Sequence, residues 1–259
     1  MKLIKYLGHA TIITLLTVLT QVGGLVWLLA LILSYKLKRK KRYLFPLLYL
    51  VFNLVLIPPM AKTFGREQLP IFHKTLEPIN WFYPLTFRNY VTPELKALLI
   101  EASKSSQLNA YKIIYLDANF PFIDGFPLLP HRSHNDGKKI DIAFLYNIEN
   151  GTITNNKPSN SGYGIFVNSD QRISRTCKEL GYWHYDITKY LTFGSTKNLK
   201  FNQKGTAQLI KELLSHSETD KIFIEPYLKN NLVLNKYSKI RFHGCQAVRH
   251  DDHIHLQIK

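Results

Sequence analysis

From Leu7 to Ser34 the chain carries no charged residue, and the run from Thr11 to Leu33 is long and apolar enough to cross a hydrocarbon core of about 30 Å. It predicts a transmembrane helix. A second apolar stretch, Tyr43 to Met60, is broken only by Pro46, Asn53 and Pro58-Pro59; it is near the lower length limit for a span, and its two terminal prolines suit a helix stop. Between the two lies Lys36-Leu37-Lys38-Arg39-Lys40-Lys41-Arg42, six cations in seven residues, against only Lys2 and Lys5 ahead of the first run. The positive-inside tendency places this loop in the cytoplasm, with the N-terminus and everything after about Ala61 on the other side. A cleaved secretory signal is the competing reading of residues 1–34, since Lys2 and Lys5 resemble a basic n-region. The apolar run is long for such a signal and lacks a clean small-x-small cleavage site. Either reading exports the C-terminal part.

The formal charge of +16 divides along the same line, because residues 1–62 hold nine Lys or Arg and no Asp or Glu. That leaves +7 on residues 63–259, a moderately basic surface able to attract an acidic polymer or an anionic membrane. Nucleic acid is disfavoured as a partner by the compartment and by the absence of a P-loop, a nucleotide-type glycine loop or an aromatic-basic repeat. Cys177 and Cys245 are the two cysteines, too few for a disulfide-built scaffold; an oxidising compartment would let them pair, and buried thiols are the equal alternative.

The organisation expected is α+β: a small antiparallel sheet with flanking helices, preceded by a two-helix transmembrane hairpin. Residues 1–62 form the membrane part, residues 63–90, rich in proline and aromatics, a juxtamembrane connector, and residues 91–259 the exported domain. Thr92-Pro93-Glu94 opens a helix through Ala102, with Thr92 as N-cap. Lys112–Asp117 reads as a buried strand, Ile140–Tyr146 as a second with Asp141 at its start, and residues 150–162 as a loop or lid. Gly205–Ser215 has helical periodicity and Lys221–Pro226 reads as a strand. In the last segment His253, His255 and Gln257 alternate with Ile254, Leu256 and Ile258, so both histidines project from one face of a strand.

Chemistry concentrates in two places. His134-Asn135-Asp136-Gly137-Lys138-Lys139-Ile140-Asp141 puts an imidazole and a carboxylate seven residues apart across a glycine turn, and the chain ends in His250-Asp251-Asp252-His253-Ile254-His255. An H-x-H strand spaces its imidazoles about 6.5 Å apart, close enough for one to bind a metal and its neighbour to reach a bound water. Together H-x-x-G-x-x-x-D and H-x-x-H-x-H resemble the zinc metallopeptidases grouped with lysostaphin and the D-Ala-D-Ala carboxypeptidases, the H-D-D-H-x-H form being that of the penicillin-insensitive murein endopeptidases.

The resemblance implies His134, Asp141 and His255 as zinc ligands, His250 as general base and His253 as an oxyanion-stabilising or second proton-transferring group. Asp251 or Asp252 would orient an imidazole. The implied activity is hydrolysis of amide bonds in peptidoglycan peptides, by a multi-pass protein of the cytoplasmic membrane whose catalytic domain faces the periplasm or cell exterior. Arg132 stands where relatives commonly have a serine two positions before the first ligand, and two cysteines cannot supply the endopeptidases' disulfides. The alternatives are a non-catalytic zinc-containing binding module of the same fold and a membrane protein that binds wall polyanions. His131 is an extra site candidate that no motif requires, and Arg249 is either a bidentate substrate-carboxylate ligand or a solvated charge. His9, His73, His184, His216 and His243 are assigned no role.

Overall fold

The computed structural model describes residues 2–108, 111–168 and 172–259. The long apolar run is not one helix: it forms α1 (Lys2–Thr20) and α2 (Gly23–Lys36). Between them Gln21 adopts φ 63°, a left-handed conformation that turns the chain back on itself. The two helices lie side by side and antiparallel. The rings of His9 and Trp27 are 6.0 Å apart, and a Cβ on Gly24 would stand 2.0 Å from the Thr17 hydroxyl. The reversal escapes hydropathy because Gln21, Val22, Gly23 and Gly24 carry no charge.

This corrects the single first span, and it brings Lys5 around the same cavity as Lys38 to Arg42. The stretches long and apolar enough to cross a membrane are Leu3–Thr20 and Lys41–Thr63, whereas α2, with 14 residues, is shorter. At 1.5 Å per residue α2 reaches only about 21 Å.

The 41–63 stretch comprises α3 (Lys41–Val51), a π-helical turn (Phe52–Leu56) and α4 (Ile57–Thr63). Pro58-Pro59 does not end it, as sequence reading expected. Both prolines fall in the first turn of α4, where a missing N–H matters least. Asn53, buried within the π turn, donates to the Pro84 carbonyl at 2.9 Å.

The chain divides into two units. The first comprises residues 1–69, 82–93 and 118–137. Its core joins Val22 of the α1–α2 turn and Val26, Ile57 and Ala61 of the helices to Phe87, Tyr90, Phe120 and Leu128 of the two later segments. Gln21 fastens the later segment directly: its Oε1 accepts from the Phe122 amide at 2.9 Å. That segment carries His131 and His134.

The second unit comprises residues 70–81, 94–117 and 138–259. Its main sheet has six strands: β1 (Leu76–Pro78), β2 (Ile113–Tyr115), β3 (Lys139–Ala143), β4 (Thr219–Phe223), β5 (Ile240–Arg241) and β6 (His253–Ile258). Their spatial order is β5-β4-β6-β3-β2-β1. The four central strands pair antiparallel and the two edge pairs are parallel. The fold is thus mixed α and β with antiparallel pairing at its centre. β1 comes from the stretch expected to be only a connector, and burial of Leu76 explains its recruitment.

The helix opening at Pro93 runs to Ala102 as expected (α5), followed by α6 (Arg172–Glu179). The next helix, α7 (Gln203–Ser215), starts two residues before the predicted Gly205. Its cap is Asn202, whose Oδ1 accepts from the Gly205 amide at 2.8 Å. The strand read through Tyr146 stops at Ala143, and Tyr146–Ile148 joins Ile153–Thr154 and Leu199–Phe201 in a separate three-stranded sheet. Cys177 and Cys245 are disulfide-bonded across 68 residues.

Candidate metal centre

The pairing of β3 with β6 sets the site. Its register places His255 opposite Asp141 and His253 opposite Ala143, so the carboxylate and both imidazoles share one face of adjacent strands. Ile140, Ile142, Ile254 and Leu256 alternate with them and are completely buried. A slip of one residue would carry Ile254 to the carboxylate. Burial of these apolar residues therefore fixes the chemistry on the other face.

Asp141 is held from two sides. Its Oδ1 lies 2.9 Å from His255 Nδ1 and its Oδ2 accepts from the Tyr163 hydroxyl at 2.8 Å. Tyr163 in turn accepts from the Asp117 amide at 3.2 Å and stands edge-on to His253, ring centroids 4.9 Å apart. His253 Nε2 is 3.6 Å from Asp141 Oδ1, and its Nδ1 is bound by Asp252 Oδ1. Asp252 is itself held through Oδ2 by the Gly164 amide at 2.6 Å.

His131, His134 and Asp141 form a buried cluster able to hold a metal ion, with one ligand atom from each, all lying within 4.8 Å of one another. His134 Nδ1 is 2.9 Å from the Ala118 carbonyl. A carbonyl only accepts, so Nδ1 carries the hydrogen and Nε2 is the nitrogen with a lone pair for a metal. Two buried imidazoles and a carboxylate, one imidazole fixed through its second nitrogen, are a donor set that fits a transition metal.

The cluster differs by one member from the set His134, Asp141 and His255 inferred from the resemblance. His131 joins it, while His255 contacts the same carboxylate through Nδ1. His131, the extra candidate that no motif requires, stands three residues before His134, and its ring lies 5.5 Å from that of His134.

His250 packs at centroid distances of 4.9 Å from His253 and 5.6 Å from His255. Burial, reinforced by these neighbouring imidazoles, holds its pKa well below the ordinary histidine value, so the ring is neutral. Its backbone is tied to Glu225, whose Oε1 accepts from the His250 amide at 3.2 Å and from the Tyr185 hydroxyl at 2.7 Å. For His253 burial also opposes charge, but Asp141 and Asp252 outweigh it and raise the pKa to about 9. Adjacent imidazoles are thus pushed in opposite directions.

Arg249 is neither a substrate ligand nor a solvated charge. Only 1% exposed, it is bound to both oxygens of Asp251 and to the Asn168 carbonyl, with its guanidinium 4.1 Å from the Phe166 ring centroid. Asp251 also accepts from Tyr227 at 2.8 Å, so Asp252 alone of the pair reaches an imidazole. His243, given no role from sequence, stacks on His250 at 5.5 Å between centroids with the planes 24° apart. No family model and no curated protein matches the chain.

Proposed function

We propose that the protein is a membrane-anchored, zinc-dependent peptidase that hydrolyses amide bonds in peptidoglycan peptides. The observation that carries this reading is the juxtaposition, on one face of β3 and β6, of Asp141 from the metal-capable cluster with His253, which has a dedicated carboxylate partner, and neutral His250 beside it. A purely structural metal site has no use for such a pair.

His134 and Asp141, with His131 or His255, would hold the ion. When bound, zinc supplies a Lewis acid that polarises a carbonyl and makes water acidic enough to react near neutral pH. His250, neutral and next to the ligands, accepts a proton and returns it to the leaving amine. His253, whose Nδ1 is held by Asp252, would present Nε2 toward charge developing on the carbonyl oxygen. The walls of buried side chains around both residues restrict water and strengthen these interactions.

The two membrane-length helices, the cationic loop and the Cys177–Cys245 disulfide support a location with the loop and N-terminus in the cytoplasm and the sheet outside, where thiols oxidise and peptidoglycan is adjacent. Digestion of purified sacculi by the full-length protein in detergent tests the activity. Muropeptide fragments are expected by mass spectrometry, lost with chelator and recovered with zinc. A His250→Ala protein should keep the metal but lose at least about 100-fold in rate. Stoichiometric zinc with intact sacculi would leave a binding module instead.

A further inference from the structure

Away from the metal cluster, the helical hairpin encloses a second feature with a chemistry of its own. Lys5 of α1 and Lys38, Arg39, Lys40, Lys41 and Arg42 around the α2–α3 turn line one open cavity of about 560 Å³. That volume lies within the usual range of ligand pockets, ~300–1,000 Å³. None of the six forms an ion pair with a carboxylate among the described residues, and the first acid in the chain is Glu67.

This concentration is more than a linear signal of orientation. α1 folds back to bring Lys5 against the far end of α2, where Leu31, Ser34 and Tyr35 complete the cavity wall. Two contacts shape the turn: Ser34 donates to the Arg39 carbonyl at 2.6 Å, and Lys41 reaches His9 of α1 at 3.3 Å, lying 5.7 Å from the Trp27 ring centroid. Six like charges drawn together without a counter-ion repel one another unless an anion joins them. The apolar wall beside the charges, at the end of helices long enough to cross a membrane, fits an anion that carries acyl chains.

We propose that this cavity is a binding site for the phosphate of an anionic lipid headgroup, with Lys5 and the 38–42 turn as its donors. Each cation contributes about fivefold to retention, equivalent to the ~1 kcal/mol that a Lys or Arg is worth at an anionic surface. Occupancy would tie α1 to the α2–α3 turn and so hold the hairpin closed.

The test uses full-length protein reconstituted in nanodiscs of phosphatidylcholine and phosphatidylglycerol and released for native mass spectrometry. Wild-type protein is expected to retain phosphatidylglycerol over phosphatidylcholine. A K38Q/K40Q/R42Q variant should lose that preference by about 100-fold, and K5Q, far from the loop in sequence, by about fivefold. Equal retention of both lipids by wild type overturns the site, as does undiminished preference in K5Q, which would mean the loop attracts anions without any assembled cavity. Competition by inorganic phosphate at concentrations that displace the lipid would support the same donors with a soluble phosphate as their ligand. If the triple variant fails to fold, K5Q decides alone.

Discussion

At the scale of single residues, the site depends on positions that carry no catalytic chemistry. Gly164 gives its amide to Asp252, which holds His253; it adopts φ 85°, and a Cβ would stand 2.2 Å from the Thr188 carbonyl oxygen. Gly164→Ala is expected to cost about 2 kcal/mol or more of stability, measured by denaturant titration, because backbone strain and a backbone clash act together. Unchanged stability would show that the loop adapts. Lys157 poses the opposite problem, a buried cation whose Nζ donates to the Phe144 carbonyl at 2.9 Å. Burial pushes its pKa down to about 7, against ~10.4 in an unfolded chain. Between those values the unfolded chain binds more protons, so this residue makes stability rise as pH increases from about 7 to about 10 and flatten below. Lys157→Met should remove a rise on the order of a few kcal/mol from melts of the full-length protein in detergent. Equal pH slopes in the two proteins would refute it.

At the scale of elements, the turn after α1 and the disulfide after β5 are the informative connections. Gln21 both reverses the chain and accepts from the Phe122 amide. Gln21→Ala is expected to speed hydrogen exchange at Phe122 about fivefold, matching loss of about 1 kcal/mol of hydrogen bonding; unchanged protection would mean that packing alone seats the segment. The Cys177–Cys245 bond closes 68 residues, and its second cysteine stands two residues after His243, which stacks on His250. Replacing both cysteines with alanine should lower stability by up to about 4 kcal/mol through unfolded-chain entropy, read as a fall in melting temperature. Local sequence signals were enough for α5, α7 and β6, where a proline start or regular alternation coincides with burial. They failed at Pro58-Pro59, because both prolines fall in the first turn of α4, where a missing N–H is tolerated, and at Leu76–Pro78, because an edge strand needs a distant partner to exist.

At the scale of the whole molecule, metal and fold test one another. Purified full-length protein is expected to contain about one zinc per chain, lost in a His134→Ala/Asp141→Asn double variant and on chelation, with a lower melting temperature in both cases. Metal retained in the double variant would remove the cluster from consideration. The sequence by itself determined that apolar helices precede a mixed α and β domain, that His253 and His255 share a strand face, and that Gly137 makes the turn before Asp141. Each of these follows from local periodicity, charge or a glycine's freedom to turn, and Gly137 does adopt φ 77°. Only the tertiary structure decided that the first apolar run doubles back, that His131 joins His134 and Asp141, that His243 stacks on His250, and that Arg249 is consumed by Asp251. Those outcomes depend on strand register, on which buried charges find partners and on where distant segments pack. Even where the partners are near in sequence, as Arg249 and Asp251 are, spacing alone does not tell which contact burial will enforce.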